Sequence, residues 1–216
     1  MKSYRTIVTY LLILVLPLTT LLAACGPGRD IAEQYFEQGN EYASQGNYNE
    51  AVTEFTEAIR LKPEFVEAYL SRGLAYYDLG QLDRSVADFD EVIRLNPQSS
   101  EAYFHRGNAY NDLGQFEQSI ADYTQAISLN FKDAVIYFNR GNTYYYLNRF
   151  EQSIADYTQA ISLDTQYTEA YFNRGLAFIE QDKKAEAIAD FEKFISLTDN
   201  PQWIEIAQLK IDELKE

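Results

Sequence analysis

Five glycines, Gly39, Gly73, Gly107, Gly141 and Gly175, stand 34 residues apart. A unit that short cannot bury an apolar face by itself, so a fixed period of this length restricts a chain to architectures built by stacking copies of one unit. Other positions keep the same phase. Tyr35, Tyr69, Tyr103, Tyr137 and Tyr171 precede the glycines by four residues, and Tyr42, Tyr76, Tyr110, Tyr144 and Phe178 follow them by three. Further on come Phe55, Phe89, Tyr123, Tyr157 and Phe191, then Ile59, Ile93, Ile127, Ile161 and Ile195.

Spacings of three and four mark helices. The pattern breaks near Gly46, Gly80 and Gly114, where glycine can end a helix, and again at Pro63 and Pro97. Each unit is therefore expected to hold two antiparallel helices, A then B. The units run 32–65, 66–99, 100–133, 134–167 and 168–201 within a repeat region of 31–201, and 202–216 forms a capping helix. Asn200 is placed to cap that helix, with Pro201 at its first position and Ile204, Ala207, Ile211 and Leu214 along its inner face. Trp203 is read as cap packing ahead of a ligand anchor. Segment 116–129 is identical to 150–163, which points to duplication and not to a reaction centre.

Counted from Ala32, Val66, Ser100, Ala134 and Thr168, every unit has an aromatic at position 4, Gly at 8, Tyr or Phe at 11, a small residue at 20 (Ala51, Ser85, Ser119, Ser153, Ala187) and an aromatic at 24. Over about 170 residues this resembles the tetratricopeptide repeat family. The resemblance implies an all-α, right-handed superhelical solenoid of five repeats plus a capping helix. It also implies that positions 2, 5, 6, 9, 12 and 13 of helix A line a concave groove that takes extended peptides or partner helices. There are departures from the family pattern. Position 7 is Gln38 or Arg where the family has Leu, and position 32 keeps its Pro only in the first two units. Asn148 and Asp182 replace the turn glycine, so those turns are expected to be held less tightly.

Two rows stand out on the groove face. Position 5 is apolar throughout (Phe36, Leu70, Phe104, Phe138, Phe172), and asparagine recurs at positions 6 and 9. Asparagine offers a donor and an acceptor, so it can grip both polar groups of a peptide unit while the rings take side chains. This is similar to the asparagine ladder of some peptide-binding members. The candidate partner-binding residues are thus Phe104, Asn108, Phe138, Asn139, Asn142, Phe172 and Asn173. The alternatives are that the rings pack on the neighbouring helix A and that the asparagines are copies facing water. Arg72, Arg106, Arg140 and Arg174 recur with Asp88, Asp122, Asp156 and Asp190, whereas the first unit changes both to Gln38 and Glu54. That joint change suggests an ion pair between helices A and B.

The net charge of −15 is the wrong sign for nucleic acid and repels anionic lipid. A neutral or basic protein or peptide partner is the electrostatic default. Glu33, Glu67, Glu101 and Glu169 at position 2 make the groove acidic, although a glutamate in a first turn also complements the helix dipole. His105 is the only histidine and Cys25 the only cysteine, so neither a zinc site nor a Cys–His or Ser–His pair is expected. No phosphate-cradling loop is present. Neither catalysis nor a cofactor is anticipated.

Lys2 and Arg5, an apolar stretch over 7–22, then Ala23 and Ala24 have the shape of a secretory signal peptide, cleaved after residue 24. Tyr10 and Pro17 break the run too much for a permanent span. Leu22-Ala23-Ala24-Cys25 resembles the lipobox of bacterial lipoproteins. That resemblance implies acylation of Cys25 with fatty chains such as palmitate, a linker over 25–30, and export to the cell envelope. Gly26 is not the Asp that retains such proteins at the inner membrane, so the outer membrane is favoured where there is one, and otherwise the outer face of the plasma membrane. The whole reads as an envelope lipoprotein scaffold. The alternative is a structural subunit of an envelope machine for outer-membrane biogenesis, pilus or secretion assembly, or cell-wall hydrolase docking. A hydrolase using surface carboxylates ranks below both.

Overall fold

The computed structural model describes residues 30–216, and Cys25 with its leader lies outside them. The described residues form eleven helices and no strand. The five units are α1 (Ile31–Ser44) with α2 (Tyr48–Leu61), α3 (Val66–Asp78) with α4 (Leu82–Leu95), α5 (Ser100–Asp112) with α6 (Phe116–Ser128), α7 (Ala134–Tyr146) with α8 (Phe150–Leu163), and α9 (Thr168–Ile179) with α10 (Lys184–Leu197). Helix α11 (Pro201–Lys215) closes the array. Each helix packs on its neighbours in sequence, and each A helix also touches the next A helix, as a solenoid requires.

The invariant glycine has a packing cause. A Cβ built on Gly39 would lie 2.5 Å from Phe55 Cε1, and one on Gly141 would lie 2.8 Å from Tyr157 Cε1. The helix-B ring rests directly on the helix-A backbone. Phe55, Phe89 and Phe191 are fully buried and Tyr123 and Tyr157 are 1% exposed. Glycine within a helix costs about 0.5–1 kcal/mol, whereas burying a ring of this size returns about 1.5–3 kcal/mol.

Between A and B, Gly46, Gly80 and Gly114 take φ of 78°, 70° and 72°, and Asn148 and Asp182 take 56° and 54°. The turn is closed by the same backbone bond everywhere: Asn47 N–H to the Tyr42 carbonyl, Arg149 to Tyr144 and Lys183 to Phe178 are all 2.9 Å. The expected loosening of the last two turns is therefore not in their hydrogen bonds. It is confined to the cost of placing a side chain in the left-handed region.

The recurring ion pair forms in all four units that carry it. Arg140 is forked onto Asp156 at 2.7 and 2.8 Å, and the other three pairs have the same geometry at 2.7–2.8 Å. The remaining guanidinium nitrogen reaches back to the preceding B helix: Arg72 to Thr56, Arg140 to Thr124 and Arg174 to Thr158, each at 3.0 Å, and Arg106 to Asp90. Rings at positions 4 and 11 flank each guanidinium, such as Tyr137 and Tyr144 beside Arg140. Each Asp is 5% exposed. Burial pushes the Asp156 carboxyl above its ordinary value, and Arg140 offsets only part of that.

The capping helix seats Ala207 and Ile211 in the core, with Ile204 and Leu214 partly covered. Asn200 caps it, accepting from the backbone of Gln202 at 3.1 Å and of Trp203 at 3.4 Å. Trp203 packs edge-on against Phe172 and Phe194 while remaining 46% exposed.

Candidate functional site

Positions 6, 9, 12 and 13 of helix A fall on one face, because steps of three and four residues return to the same side of a helix. The asparagines stand there, and the structure gives them internal work. Asn108 Oδ1 accepts from the Tyr123 hydroxyl at 2.7 Å and from Asn139 Nδ2 at 3.0 Å. Asn142 Oδ1 accepts from the Tyr157 hydroxyl at 2.7 Å and from Asn173 Nδ2 at 2.9 Å. Each rung ties both helices of one unit to helix A of the next. Burial pushes both phenols well above their ordinary pKa, and a buried hydroxyl of this kind requires a partner.

Asparagine therefore does not recur merely through copying, nor is it wholly given over to a ligand. Where position 24 is Phe89 or Phe191, position 9 is Leu74 or Leu176. At the junction of the second and third units the rung is apolar, with His105 stacked on Phe89 at 5.8 Å. Burial holds His105 down to about 4. Glu101 lies 3.9 Å away but is itself more than half exposed, so water screens it and the imidazole stays neutral.

Half of each amide is left over. Asn108 and Asn142 keep Nδ2 as a donor, and Asn139 and Asn173 keep Oδ1 as an acceptor. These atoms border two adjoining cavities. One of about 240 Å³ is lined by Tyr77, Asn111, Asp112, Tyr123 and Tyr146 together with Asn108, Asn139 and Asn142. One of about 150 Å³ adds Tyr145, Tyr157, Asn173 and Leu176, and it shares Asn142 and Tyr146 with the first. Neither lining contains a Lys or Arg. Across α3 and α5, the Tyr77 hydroxyl donates to the Asp112 carboxylate. Burial first, then Asp112, pushes the Tyr77 phenol up. Buried Thr143 has its hydroxyl 2.9 Å from both Asn111 Oδ1 and the Asn139 carbonyl, which ties two residues of the lining together.

The phenylalanines pack on other rings. Phe104, expected in the groove, is 8% exposed and lies on Phe131 at 4.8 Å and Tyr123 at 6.1 Å. Phe138 packs on Tyr157 and Tyr167, and Phe172 on Phe191, Phe194 and Trp203; both are half-buried. Their ring contacts are with their own helix B and the segment that follows it, and Phe104 shares a core cluster with Ile136 of the next helix A. An aromatic in that segment packs on the stripe: Phe65 on Phe36, Phe131 on Phe104 and Tyr167 on Phe138, and of the stripe only Phe104 is fully in the core.

Tyr77, Asp112, Tyr145 and Tyr146 are cavity residues absent from the sequence-based candidates. The signal was an excess of aromatics at positions 12 and 13, beyond what position 11 needs for packing. The candidate lipidation residue Cys25 lies outside the described residues. Among the described residues no group of three or more His, Cys, Asp or Glu side chains is placed to hold a metal ion, and no helix is long and apolar enough to cross a membrane. The arrangement offers hydrogen bonding, negative charge and ring faces.

Comparisons with known proteins bear on this geometry. Profiles described as "TPR repeat" match 39–80, 73–113, 107–146 and 141–182, and one described as "Tetratricopeptide repeat" matches 168–201. A search of curated proteins finds no match. Among solved structures, a crystal structure of MamA is similar at TM-score 0.72 and 25% identity, covering 79% of this chain and 95% of that one. MamA from Desulfovibrio magneticus RS-1 gives 0.75 and 23%, covering 80% and 99%. YrrB, described as a TPR protein with an unusual peptide-binding site, gives 0.71 and 17%, covering 82% and 91%.

Proposed function

Because this chain belongs to the tetratricopeptide repeat family, a fold that serves protein–protein interaction, we propose that it is an envelope lipoprotein holding an extended peptide or protein segment on its concave face. One observation carries the reading. The unused amide atoms of Asn108, Asn139, Asn142 and Asn173 present donors and acceptors in fixed orientation along two adjoining cavities. A peptide unit needs one of each. YrrB, with its peptide-binding site, shares the fold alone at 17% identity, so the reading rests on these atoms. The lining free of Lys and Arg and the net charge of −15 favour a neutral or basic partner.

The tether is the lipid on Cys25, supported by the apolar leader and by Leu22-Ala23-Ala24 before it. Gly26 favours the outer membrane. Metabolic labelling with a fatty-acid analogue tests this. The full chain takes label and Cys25→Ala does not; an unlabelled full chain in the membrane fraction would overturn the tether.

A second reading, a fixed subunit of an envelope assembly, is favoured by the outward row Trp203, Ile206 and Leu209 on α11. A photoreactive residue placed at Tyr146, 63% exposed in the groove, or at Leu209, 55% exposed on the cap, separates the two in living cells. The groove reading expects a partner crosslink at position 146. Crosslinks at 209 alone would transfer the function to the cap.

A further inference from the structure

We infer that the larger groove cavity is a socket for one lysine or arginine side chain of the partner, with Asp112 as its counter-charge and Tyr146 as its aromatic wall. The inference rests on the groove reading and names the chemistry of what enters.

Asp112 is the last residue of α5. A helix C-terminus carries partial negative charge, so a carboxylate there works against the dipole and a cation relieves both. The same conflict recurs at the A-helix ends nearby. Asp78 ends α3, Glu180 caps α9, and no basic residue stands in the last turn of α3, α5, α7 or α9. Asp112 is the one charged residue in the cavity lining. No basic side chain of the lining answers that charge, which is exposed to water.

The remaining lining is tuned the same way. The Tyr77 hydroxyl holds one Asp112 oxygen, which fixes the carboxylate and leaves its other oxygen open. Asn139, in the same lining, has Oδ1 as an unused acceptor. Lysine and arginine bring donors for these two oxygens, and the free Nδ2 groups of Asn108 and Asn142 are left for the partner's backbone carbonyls. Tyr146, 63% exposed in the lining, stacks on Phe116 at 5.7 Å, which supports its ring. A cation over such a face gains a further attraction. An acidic side chain would meet Asp112 and three helix C-termini, and an aliphatic one would strand the amides.

The test uses the full chain in detergent micelles, panned against a display library of random peptides. Lysine or arginine is expected to be enriched at one position of the selected peptides. A selected peptide, synthesised, should lose about tenfold or more in affinity against Asp112→Asn, which keeps the shape and can still accept from Tyr77. It should lose about threefold or more against Tyr146→Ala. Both variants should melt as the parent does. Selected peptides with no basic position, or affinity unmoved by Asp112→Asn, would overturn the socket while leaving the groove standing. Failure of the parent chain to select any peptide would overturn both.

Discussion

Arg140→Leu removes one guanidinium from the repeating A–B pair and leaves the Asp156 carboxylate 5% exposed with no counter-charge. Breaking one side of a buried pair costs about 3–5 kcal/mol. For an array of this length that lowers the melting temperature by roughly 6–20 °C. The loss has a pH signature. Burial already pushes Asp156 above its ordinary value with Arg140 present, and removing Arg140 raises it further. A carboxyl whose folded pKa lies above its unfolded one stabilises the fold at low pH, and that contribution is lost as pH rises through the folded value. The variant's deficit is therefore expected to be largest at pH 7–8 and to shrink as pH falls toward 4. Arg140 has no such latitude, since its bonds to Asp156 hold its pKa above the usual guanidinium value even though burial acts the other way. Replacing both partners with apolar residues should recover much of the loss, because an uncharged pair has no desolvation to repay. Circular-dichroism melts of parent, Arg140→Leu and the double variant across pH 5–8 measure all three. An unchanged melting temperature, or a deficit that ignores pH, would refute the reasoning.

Three further outcomes are expected. Ser85 donates to the Gly73 carbonyl at 2.8 Å, whereas the buried Ser119 and Ser153 hydroxyls find no partner of hydrogen-bonding geometry, close as each lies to the tyrosine one turn on. Alanine should thus cost about 1 kcal/mol at Ser85 and nothing, or a gain, at Ser119 and Ser153, and denaturant melts that rank the three alike would count against this. Asn148→Gly and Asp182→Gly, at φ 56° and 54°, should each stabilise by up to about 1 kcal/mol, with equal or lower stability as the contrary result. His105, held down to about 4, takes up a proton less readily folded than unfolded, so its contribution is complete above pH 6.5 and falls away toward pH 4. The loss is at most about 3 kcal/mol. Parent and His105→Leu melting curves should diverge over that window, and parallel curves would dismiss the imidazole as their cause.

The all-α repeat architecture was legible in the sequence because its determinants are local and copied. A ring at position 24 demands glycine at position 8 of the same unit, and Gly46, Gly80 and Gly114 announce their turns by residue type alone. The groove was less legible. The internal bonds of Asn108 and Asn142 were hidden because their partners, Tyr123 and Tyr157, lie on another helix 15 residues on. The clue was that tyrosine replaces phenylalanine at position 24 in the two units that carry both. Phe104 read as exposed because its cover, Phe131, comes from an irregular segment with no counterpart at that position in the other units. Asp112 gave no signal, since one acid among 33 is conspicuous only once the cavity around it is known.

The rungs also bear on how such an array changes length over generations. Segment 116–129 equals 150–163, and the rung that Tyr123 makes with Asn108 is remade by Tyr157 with Asn142. Excising residues 116–149 would leave a chain whose reading is continuous at the join. In that chain Asn108 stands where Asn142 stood, facing Tyr157 and Asn173. Unequal crossing-over between the two copies can therefore delete or insert a whole unit without leaving a seam, and without orphaning a single buried hydroxyl. The groove can be lengthened by a recombination event that remakes each Asn–Tyr rung.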